Sequence, residues 1–302
     1  MTVETEASPV LYARKGDYIP RIAAVHDLCG YGKCSLGVAI PVLSAAGCDV
    51  CPVPTGIFSS HTAFPGWYMY DVTEALPAYL EAWAKINVEI DAVYSGFLGA
   101  PSHVDRIREL YEAYPEALRL VDPVMADHGK VYPTYTPELC AAMVELAQEA
   151  DILTPNLTEA DIILGREWPG QGISDEEAAE WVRALLEAGA KNVVLKGIHR
   201  KGEAKVYNFV GSGELDDEGQ VVAGEILRIS NPYLPYQLHG TGDVYASALL
   251  AAIMCGRSVA DSAAFAGNMV YEAMVLSAKQ PRYLERGVSF EPLLGKVCAL
   301  LG

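Results

Sequence analysis

A glycine-rich motif, Gly240-Thr241-Gly242-Asp243, has the residue types and the spacing that phosphoryl chemistry needs. Its glycines allow backbone N–H groups to approach a ligand without a Cβ atom in the way. The apolar run at 244–252 predicts a helix, whose first turn would direct unpaired N–H groups and the positive end of its dipole to the same place. Such a place binds anions.

The carboxylate of Asp243 beside this anion site points to a specific reaction. Negative charge next to a bound phosphate is unfavourable, unless the carboxylate takes the proton from a hydroxyl group that then attacks the phosphorus. The same four residues also fit a loop that leads into a helix, with Asp243 as an ordinary first-turn charge. Short glycine motifs occur often by chance, so the remainder of the chain has to separate the two interpretations.

The overall composition indicates which partners the protein can bind and in which cellular compartment it is found. The 302 residues include 22 Lys and Arg against 39 Asp and Glu, which gives a net charge of -17 and disfavours binding to nucleic acid. No apolar run approaches the ~20 residues that cross a bilayer, and the acidic N-terminus does not resemble a signal peptide. The seven cysteines are an odd number, which fits free thiols. We therefore expect a cytoplasmic protein with neither nucleic-acid nor membrane partners.

Strand-like and helix-like segments alternate over most of the chain. This pattern predicts an α/β fold, a three-layer α/β/α sandwich with a mostly parallel central sheet. We expect one domain at 21–302, preceded by an extension at 1–20 that is loose or docks on the surface. Ligands of such sheets bind outside the carboxyl ends of the strands. Polar or flexible residues follow five predicted strands, at Asp27, Gly96, Asp122, Thr154 and Lys196.

Some predicted boundaries bear on the site. The first strand, 21–25, should end at His26-Asp27, and the strand at 192–195 should end at Lys196-Gly197. The strand at 49–55 contains two prolines, which favours an edge position. Towards the C-terminus we expect two antiparallel strands joined by an acidic turn at 211–219, and a last helix near 290–300.

The glycine-rich turn at 29–35 fits neither of two common nucleotide motifs. In a P-loop, Gly-Lys is followed by Ser or Thr, but Gly32-Lys33 is followed by Cys34, and Asp27 stands where the first glycine is required. In the dinucleotide fingerprint a third glycine stands where this chain has Ser35. An NAD-dependent dehydrogenase is therefore disfavoured.

Two acidic segments are candidates for a cation site, and each has an ordinary alternative. Asp122 and Asp127 stand five residues apart in a turn after a strand, where they can share a hydrated Mg²⁺ or act as a cap and a turn residue. Asn156 and Glu159 have the spacing of a helix capping box. The residues alone leave both alternatives open.

A polar segment among aromatic side chains, Ser59-Ser60-His61-Thr62, is a candidate for binding a small planar ligand. The same segment also fits a surface loop that is held by bonds between Ser or Thr side chains and the backbone.

Three motifs together resemble the ribokinase-like superfamily, in particular its vitamin-kinase branch of pyridoxal kinases and hydroxymethylpyrimidine kinases. They are Asp122-Pro123-Val124-Met125-Ala126-Asp127, Thr154-Pro155-Asn156-x-x-Glu159 and Gly240-Thr241-Gly242-Asp243, in this order and spacing. The resemblance covers about residues 21 to 300. It implies an ATP- and Mg²⁺-dependent kinase and a homodimer, and it leaves open whether K⁺ takes part.

The resemblance also implies a role for each matching position. Asp243 would be the general base, and the amides of Gly240, Thr241 and Gly242 would stabilise the transferred phosphoryl group. The segment at 199–229 matches the flap over ATP. The implied nucleotide-binding residues are Thr154, Asn156, Lys196, Gly197 and Thr241; the metal-binding ones are Asp122, Asp127 and Glu159; the substrate-binding ones are Asp27, Ser59, His61, Thr62 and Phe97.

Two segments bear on which vitamin such a kinase would phosphorylate. Ser59-Ser60-His61-Thr62 is similar to the Ser-Asn-His-Thr of pyridoxal kinases, and the signature of the pyrimidine kinases after the first strand is missing. Pyridoxal kinases usually have serine where this chain has Asp27, and an aspartate facing the ring would favour a cationic substrate such as pyridoxamine. Two alternatives remain: a kinase for hydroxymethylpyrimidine, and a vitamin-binding protein without catalysis.

Overall fold

The computed structural model describes residues 8–170, 172–215 and 221–302. Within these ranges the strands are β1 (Arg21–Cys29), β2 (Asp49–Phe58), β3 (Met69–Asp71), β4 (Ala92–Ser95), β5 (Leu118–Val121), β6 (Ala126–Asp127), β7 (Lys130–Val131), β8 (Ile152–Leu153), β9 (Asn192–His199), β10 (Lys205–Leu215), β11 (Val221–Ala223) and β12 (Leu227–Pro232). The helices are α1 (Leu36–Ala45), α2 (Leu76–Lys85), α3 (Ser102–Ala113), α4 (Pro137–Gln148), α5 (Leu157–Leu164), α6 (Asp175–Glu187), α7 (Thr241–Met254), α8 (Val259–Ser277), α9 (Tyr283–Arg286) and α10 (Leu294–Cys298).

The strands form one large sheet and one small hairpin. The large sheet has the order β11-β10-β9-β8-β5-β4-β1-β2-β3, and β12 pairs with β10. The six strands from β9 to β2 in this order run parallel, and antiparallel strands extend the sheet at both ends. The separate β6–β7 hairpin lies between β5 and α4 in sequence.

Two apolar layers cover the faces of the sheet. One joins the sheet to α3, α4, α5 and α6, through residues such as Ile107, Met143 and Val182. The other joins it to α1, α7 and α8, through residues such as Val42, Leu249 and Ala263. Every residue of α7 from Val244 to Met254 is buried, as expected for a helix that is apolar on all sides. The predicted α/β sandwich with a mostly parallel sheet is therefore confirmed.

Two strands are longer than predicted, and both differences affect the site. β1 continues through His26-Asp27 to Cys29, with an irregular register between His26 and Leu28 that leaves Asp27 out of the ladder. β9 continues past Lys196-Gly197 to His199 and has a register shift opposite Asn208. These side chains are therefore placed by bulges, which re-aim residues locally, and not by the ends of strands.

The boundaries near the edges also differ in part. The two prolines of β2 precede the segment 56–58 that pairs with β3, so the proline-containing part is at an edge, while β3 covers the rest of the strand. Residues 211–215 belong to β10 and not to a turn; the remainder of the predicted turn, 216–219, lies outside the described residues. The predicted helix at 290–300 is broken into α10 and two 3-10 turns.

The segment before β1 contacts two helices. The carbonyl of Pro9 accepts a hydrogen bond from the Val259 amide at the start of α8, and the Arg14 guanidinium donates to the carbonyls of Ala46 and Gly47 after α1. No helix within the described residues is both long and apolar enough to cross a membrane.

Candidate active site

α7 begins at the Gly240-Thr241-Gly242-Asp243 motif, where the sequence predicts an anion site. Thr241 is the first helical residue, and no side chain caps the helix. The first backbone bond is from the Val244 amide to the carbonyl of Gly240, at 2.9 Å. The amides of the first turn are therefore available to a ligand. The Thr241 hydroxyl donates to the carbonyl of Leu238 at 3.2 Å, which orders the loop before the helix.

The turn before α1 packs directly against this loop. Gly240 has φ 83°, and a Cβ atom there would collide with the carbonyl oxygen of Lys33. A Cβ atom at Gly32 would collide with the ring of His61. The segment 30–33 therefore fits between the anion site and the segment of His61 because both contacts involve glycine.

Asp243 lies in the first turn of α7 among other carboxyl groups. Burial, together with the negative charges of Asp122 and Asp27, raises the pKa of Asp243 to about 7. The backbone N–H of Ser35 and the ammonium group of Lys196 act in the opposite direction. A carboxyl group with this pKa is a suitable general base near neutral pH.

Lys196 and Asp122 form a buried ion pair beside the anion site. The Asp122 carboxylate also accepts a hydrogen bond from the Thr154 hydroxyl, at 3.0 Å. A Cβ atom on Gly242 would lie 3.8 Å from the Lys196 Nζ and 4.0 Å from an Asp122 oxygen. Burial alone would lower the pKa of Lys196, but Asp122 and Glu159 raise it, so this side chain is a permanent cation at the site.

β9 places Lys196 through its irregular pairing with β10. The side chain of Asn208, at the register shift, accepts a hydrogen bond from the Gly197 amide at 3.0 Å. On the other side, the Lys196 amide donates to the carbonyl of Pro155. Gly197 has φ 81°, a conformation that favours glycine. Asn208 was not predicted, because its role depends on the register of two strands.

Glu159 and Asn156 form the capping box of α5. The Asn156 side chain accepts from the amides of Thr158 and Glu159, and a Glu159 oxygen accepts from the Asn156 amide at 2.8 Å. The other Glu159 oxygen is 3.4 Å from the Met125 amide. Burial is the main cause that raises the pKa of Glu159 to about 8. Asn156 and Glu159 therefore do cap α5. Glu159 is also close enough to Lys196 and Asp122 for their charges to affect its pKa.

The carboxyl groups suit a hydrated cation better than a dehydrated one. Asp127 is partly exposed and accepts a hydrogen bond from the His128 amide at 2.9 Å. No group of three or more His, Cys, Asp or Glu in the described ranges is arranged to hold a metal ion by itself. Mg²⁺ usually keeps several waters and takes one or two carboxylates together with substrate phosphates. Asp122 and Glu159, with Asp127 nearby, fit this kind of site.

The predicted substrate residues lie on three segments: Asp27 in β1, Ser59, His61 and Thr62 after β2, and Phe97 after β4. His61 is buried and uses both ring nitrogens: Nε2 donates to the carbonyl of Glu285 at 2.7 Å, and Nδ1 accepts from the Ala63 amide at 3.3 Å. Its ring stacks on that of His239, at 4.3 Å. Burial lowers the pKa of His61, which agrees with a neutral ring that has its proton on Nε2. His61 thus connects the segment 59–62 to the loop before α7.

Ser59, Thr62 and Phe97 have different environments. The Ser59 hydroxyl accepts from the Tyr68 amide at 2.9 Å, which closes the turn between β2 and β3. Thr62 is exposed. Phe97 is half-buried, with the rings of Phe58 and Tyr135 at 5.7 and 5.8 Å. Ser59 and Thr62 thus follow β2, and Phe97 follows β4, which is separated from β2 by β1.

Asp27 is buried at the irregularity of β1, and its charge is close enough to Asp243 to raise the pKa of that carboxyl group. Burial raises the pKa of Asp27 to about 6, and a hydrogen bond from the Ser35 hydroxyl acts against this rise. Ser35 was not singled out from the sequence, where a serine before a helix indicates an ordinary cap.

Comparison with known proteins identifies the family. A family model described as phosphomethylpyrimidine kinase matches residues 42–286. The chain belongs to the phosphomethylpyrimidine kinase family. The resemblance to the vitamin-kinase branch of the ribokinase-like superfamily is thereby confirmed.

Named relatives and solved structures are similar to this chain over most of its length. The pyridoxal kinase PdxY of Pseudomonas putida (strain GB-1) is 30% identical over 274 residues, which cover 85% of this chain and 87% of the relative. A Bacteroides thetaiotaomicron protein assigned to the phosphomethylpyrimidine kinases, in a crystal form with pyridoxal, is 31% identical with a TM-score of 0.84, covering 93% of this chain and 96% of that one. Pyridoxal kinase from Lactobacillus plantarum is 28% identical with a TM-score of 0.81, covering 94% and 98%.

Proposed function

We propose that this protein is an ATP-dependent kinase that phosphorylates the 5′-hydroxymethyl group of pyridoxal, pyridoxine and pyridoxamine. The observation that carries the proposal is Asp243, a carboxyl group with its pKa raised to about 7 in the first turn of α7, beside the open amides of the anion site. The names of the relatives support the vitamin: pyridoxal kinase for two of them, and pyridoxal in the crystal of the third.

In the proposed reaction Asp243 accepts the proton of the substrate hydroxyl as its oxygen attacks the γ-phosphorus. A new O–P bond forms, the bond from the γ-phosphorus to the bridging oxygen breaks, and ADP leaves. The amides of Gly240, Thr241 and Gly242 and the ammonium group of Lys196 stabilise the negative charge on the phosphoryl oxygens. Thr154, Asn156 and Gly197 lie along the nucleotide phosphates in this proposal.

Mg²⁺ is proposed at Asp122, Glu159 and Asp127, with water molecules between. The raised pKa values of Glu159 and Asp243 support it, because several carboxyl groups share the single positive charge of Lys196. When bound, Mg²⁺ neutralises phosphate charge. Asp122 and Glu159 would orient its waters.

Asp27 is proposed to set the choice between vitamers. A buried carboxyl group next to the substrate ring favours a cationic form such as pyridoxamine over pyridoxal. Replacing it by serine, Asp27→Ser, should reduce the ratio of kcat/KM for pyridoxamine to that for pyridoxal. An unchanged ratio would refute this assignment.

A homodimer and a cytoplasmic location complete the proposal. Near the β3 end of the sheet lie four exposed apolar side chains, Ile57, Trp67, Tyr68 and Tyr70, and such patches often mark an interface. All seven cysteines are free, which suits a reducing compartment.

The second candidate is a kinase for hydroxymethylpyrimidine, which the description of the matching family model favours. A substrate panel separates the two: the purified protein with ATP and Mg²⁺ is given each of the three B6 vitamers and hydroxymethylpyrimidine. We expect the highest kcat/KM for a B6 vitamer. Turnover of the pyrimidine alone would reverse the choice, and turnover of neither would favour a vitamin-binding protein without catalysis.

A further inference from the structure

The segment 97–99 follows β4 and begins with Phe97, one of the substrate-binding residues that the family resemblance implies. Three consecutive residues of this segment each use a backbone group to bind a side chain of another part of the fold. The carbonyl of Phe97 accepts from the Thr55 hydroxyl at 2.9 Å, the Leu98 amide donates to the Tyr135 hydroxyl at 3.3 Å, and the Gly99 amide donates to Nδ1 of His103 at 3.2 Å. The segment is therefore fixed from β2, from the loop before α4 and from α3.

The hydrogen bonds of His103 have a defined direction. Because an amide N–H can only donate, Nδ1 accepts from Gly99, and the proton of the neutral ring is on Nε2. Nε2 therefore donates to the Thr73 hydroxyl at 2.8 Å, and this hydroxyl donates to the Asp71 carboxylate at 2.6 Å. His103 is fully buried, and burial lowers its pKa, which agrees with a neutral ring. One chain of hydrogen bonds thus joins the end of β3 to the Gly99 amide.

The packing around Gly99 connects its position to that of Phe97. A Cβ atom on Gly99 would lie 3.4 Å from the terminal carbon of Met69 in β3, and 3.5 Å from both the His103 ring and the carbonyl oxygen of Thr55. Two aromatic rings contact the ring of Phe97 at 5.7 and 5.8 Å, both nearly perpendicular to it. A shift of the Gly99 backbone would therefore also move the Phe97 ring, which stands two residues away.

We propose that His103 is a positioning residue for the vitamin: its ring fixes the segment 97–99 relative to β3, so that Phe97 presents its ring to the substrate. Thr73 and Asp71 fix the tautomer and the orientation of the imidazole. This inference rests on the proposed function, because it concerns the pocket for the same substrate. None of these residues is among those proposed to bind ATP or Mg²⁺, so loss of His103 should weaken the binding of the vitamin and not that of the nucleotide.

Two substitutions separate the two hydrogen bonds of His103. In His103→Asn the side-chain oxygen can take the place of Nδ1 and accept from the Gly99 amide, but the side chain is too short for Thr73. In His103→Gln the longer side chain can donate to Thr73 and gives up the acceptor beside Gly99. We expect His103→Gln to raise the KM for pyridoxal by about tenfold, the effect of leaving one buried amide without a partner, with the KM for ATP unchanged. His103→Asn should have the smaller KM for pyridoxal of the two.

A stability control and a milder variant accompany this pair. Ser258→Ala removes the side chain that caps α8, so its Tm should fall while both KM values stay at those of the wild type. If His103→Gln does not fold, Thr73→Val tests the same chain of hydrogen bonds, since it removes the hydroxyl that orients the ring. It should raise the KM for pyridoxal by about threefold, and an unchanged value there would overturn the inference.

A double-mutant cycle with Phe97→Ala identifies the residue through which His103 acts. If that residue is Phe97, His103→Gln raises the KM for pyridoxal much less in the Phe97→Ala background than in the wild type. Increases that multiply, or an equal KM for pyridoxal in His103→Gln and His103→Asn, would overturn the inference and leave the proposed function intact. A wild-type protein that phosphorylates no B6 vitamer would overturn both.

Discussion

Asp243 and Asp261 occupy the same helical position, the third residue of α7 and of α8, and they test what the carboxyl group at 243 does. Asp261 has an ordinary partner, the hydroxyl of the capping Ser258. Asp243→Asn should reduce kcat by ~10²–10⁴-fold, the usual contribution of a general base, and leave the binding of pyridoxamine and ADP unchanged by calorimetry. Asp261→Asn should keep kcat. Equal kcat in the two variants would mean that Asp243 is only a first-turn charge.

The pH dependence of activity follows from the same carboxyl group. Asp243 must be deprotonated to accept a proton, and its pKa is about 7. The kcat/KM for the vitamin should therefore rise through about pH 7 and level off above it. Lys196 holds this pKa down, so Lys196→Gln should move the midpoint to higher pH. A rate profile that is flat from pH 6 to pH 8 would contradict the assignment of the base.

The stability of the folded chain should change with pH in the opposite direction to the activity. A carboxyl group whose pKa is raised on folding binds its proton more tightly in the folded chain, so its contribution to the free energy of unfolding decreases as pH rises from 3.8 towards about 7. Asp243→Asn removes this penalty. Without ligands, its Tm should exceed that of the wild type by more at pH 8 than at pH 5. A Tm difference independent of pH would show that the pKa of Asp243 is not raised.

At the scale of elements, the contact between the 30–33 turn and the loop before α7 depends on Gly240. Gly240→Ala combines an unfavourable φ of 83° with a collision against the Lys33 carbonyl. Gly165, after α5, has φ 60° and open space around it, so Gly165→Ala introduces the backbone strain alone, about 1–2 kcal/mol. Gly240→Ala should lose more stability in urea unfolding and should also lose kcat, whereas Gly165→Ala keeps kcat. Equal losses of stability and equal kcat in the two variants would show that the structure accommodates the Cβ atom at position 240 without disturbing the site.

The elements themselves were largely predictable, and the exceptions have a common cause. Alternation of apolar segments indicated the sheet and its helices, and the glycine before α7 indicated an anion site. The bulges at Asp27 and opposite Asn208 were not predictable, because they arise from the register between strands that are distant in sequence.

At the scale of the whole molecule, the two ends of the sheet differ in their exposed apolar surface. Tyr68 and Tyr70 flank Met69 at the β3 end and are 65% and 59% exposed, next to Ile57 and Trp67. At the other end, the edge strand β11 exposes Val222, 51%. A homodimer that covers the β3 end would bury the larger aromatic surface and pair the edge of a sheet, which unpaired strands favour.

The proposed dimer can be tested at both ends of the sheet. Placing carboxylates at the β3 end, with Tyr68→Asp and Tyr70→Asp together, would bring like charges of two copies close to each other and desolvate them, so the dimer should dissociate. The matched control is Val222→Asp on β11, which should leave the dimer intact. Light scattering after size-exclusion chromatography measures the mass of each variant against that of the 32.5 kDa chain. A wild-type monomer at micromolar concentration would refute the dimer, and dissociation by Val222→Asp alone would move the interface to the opposite end.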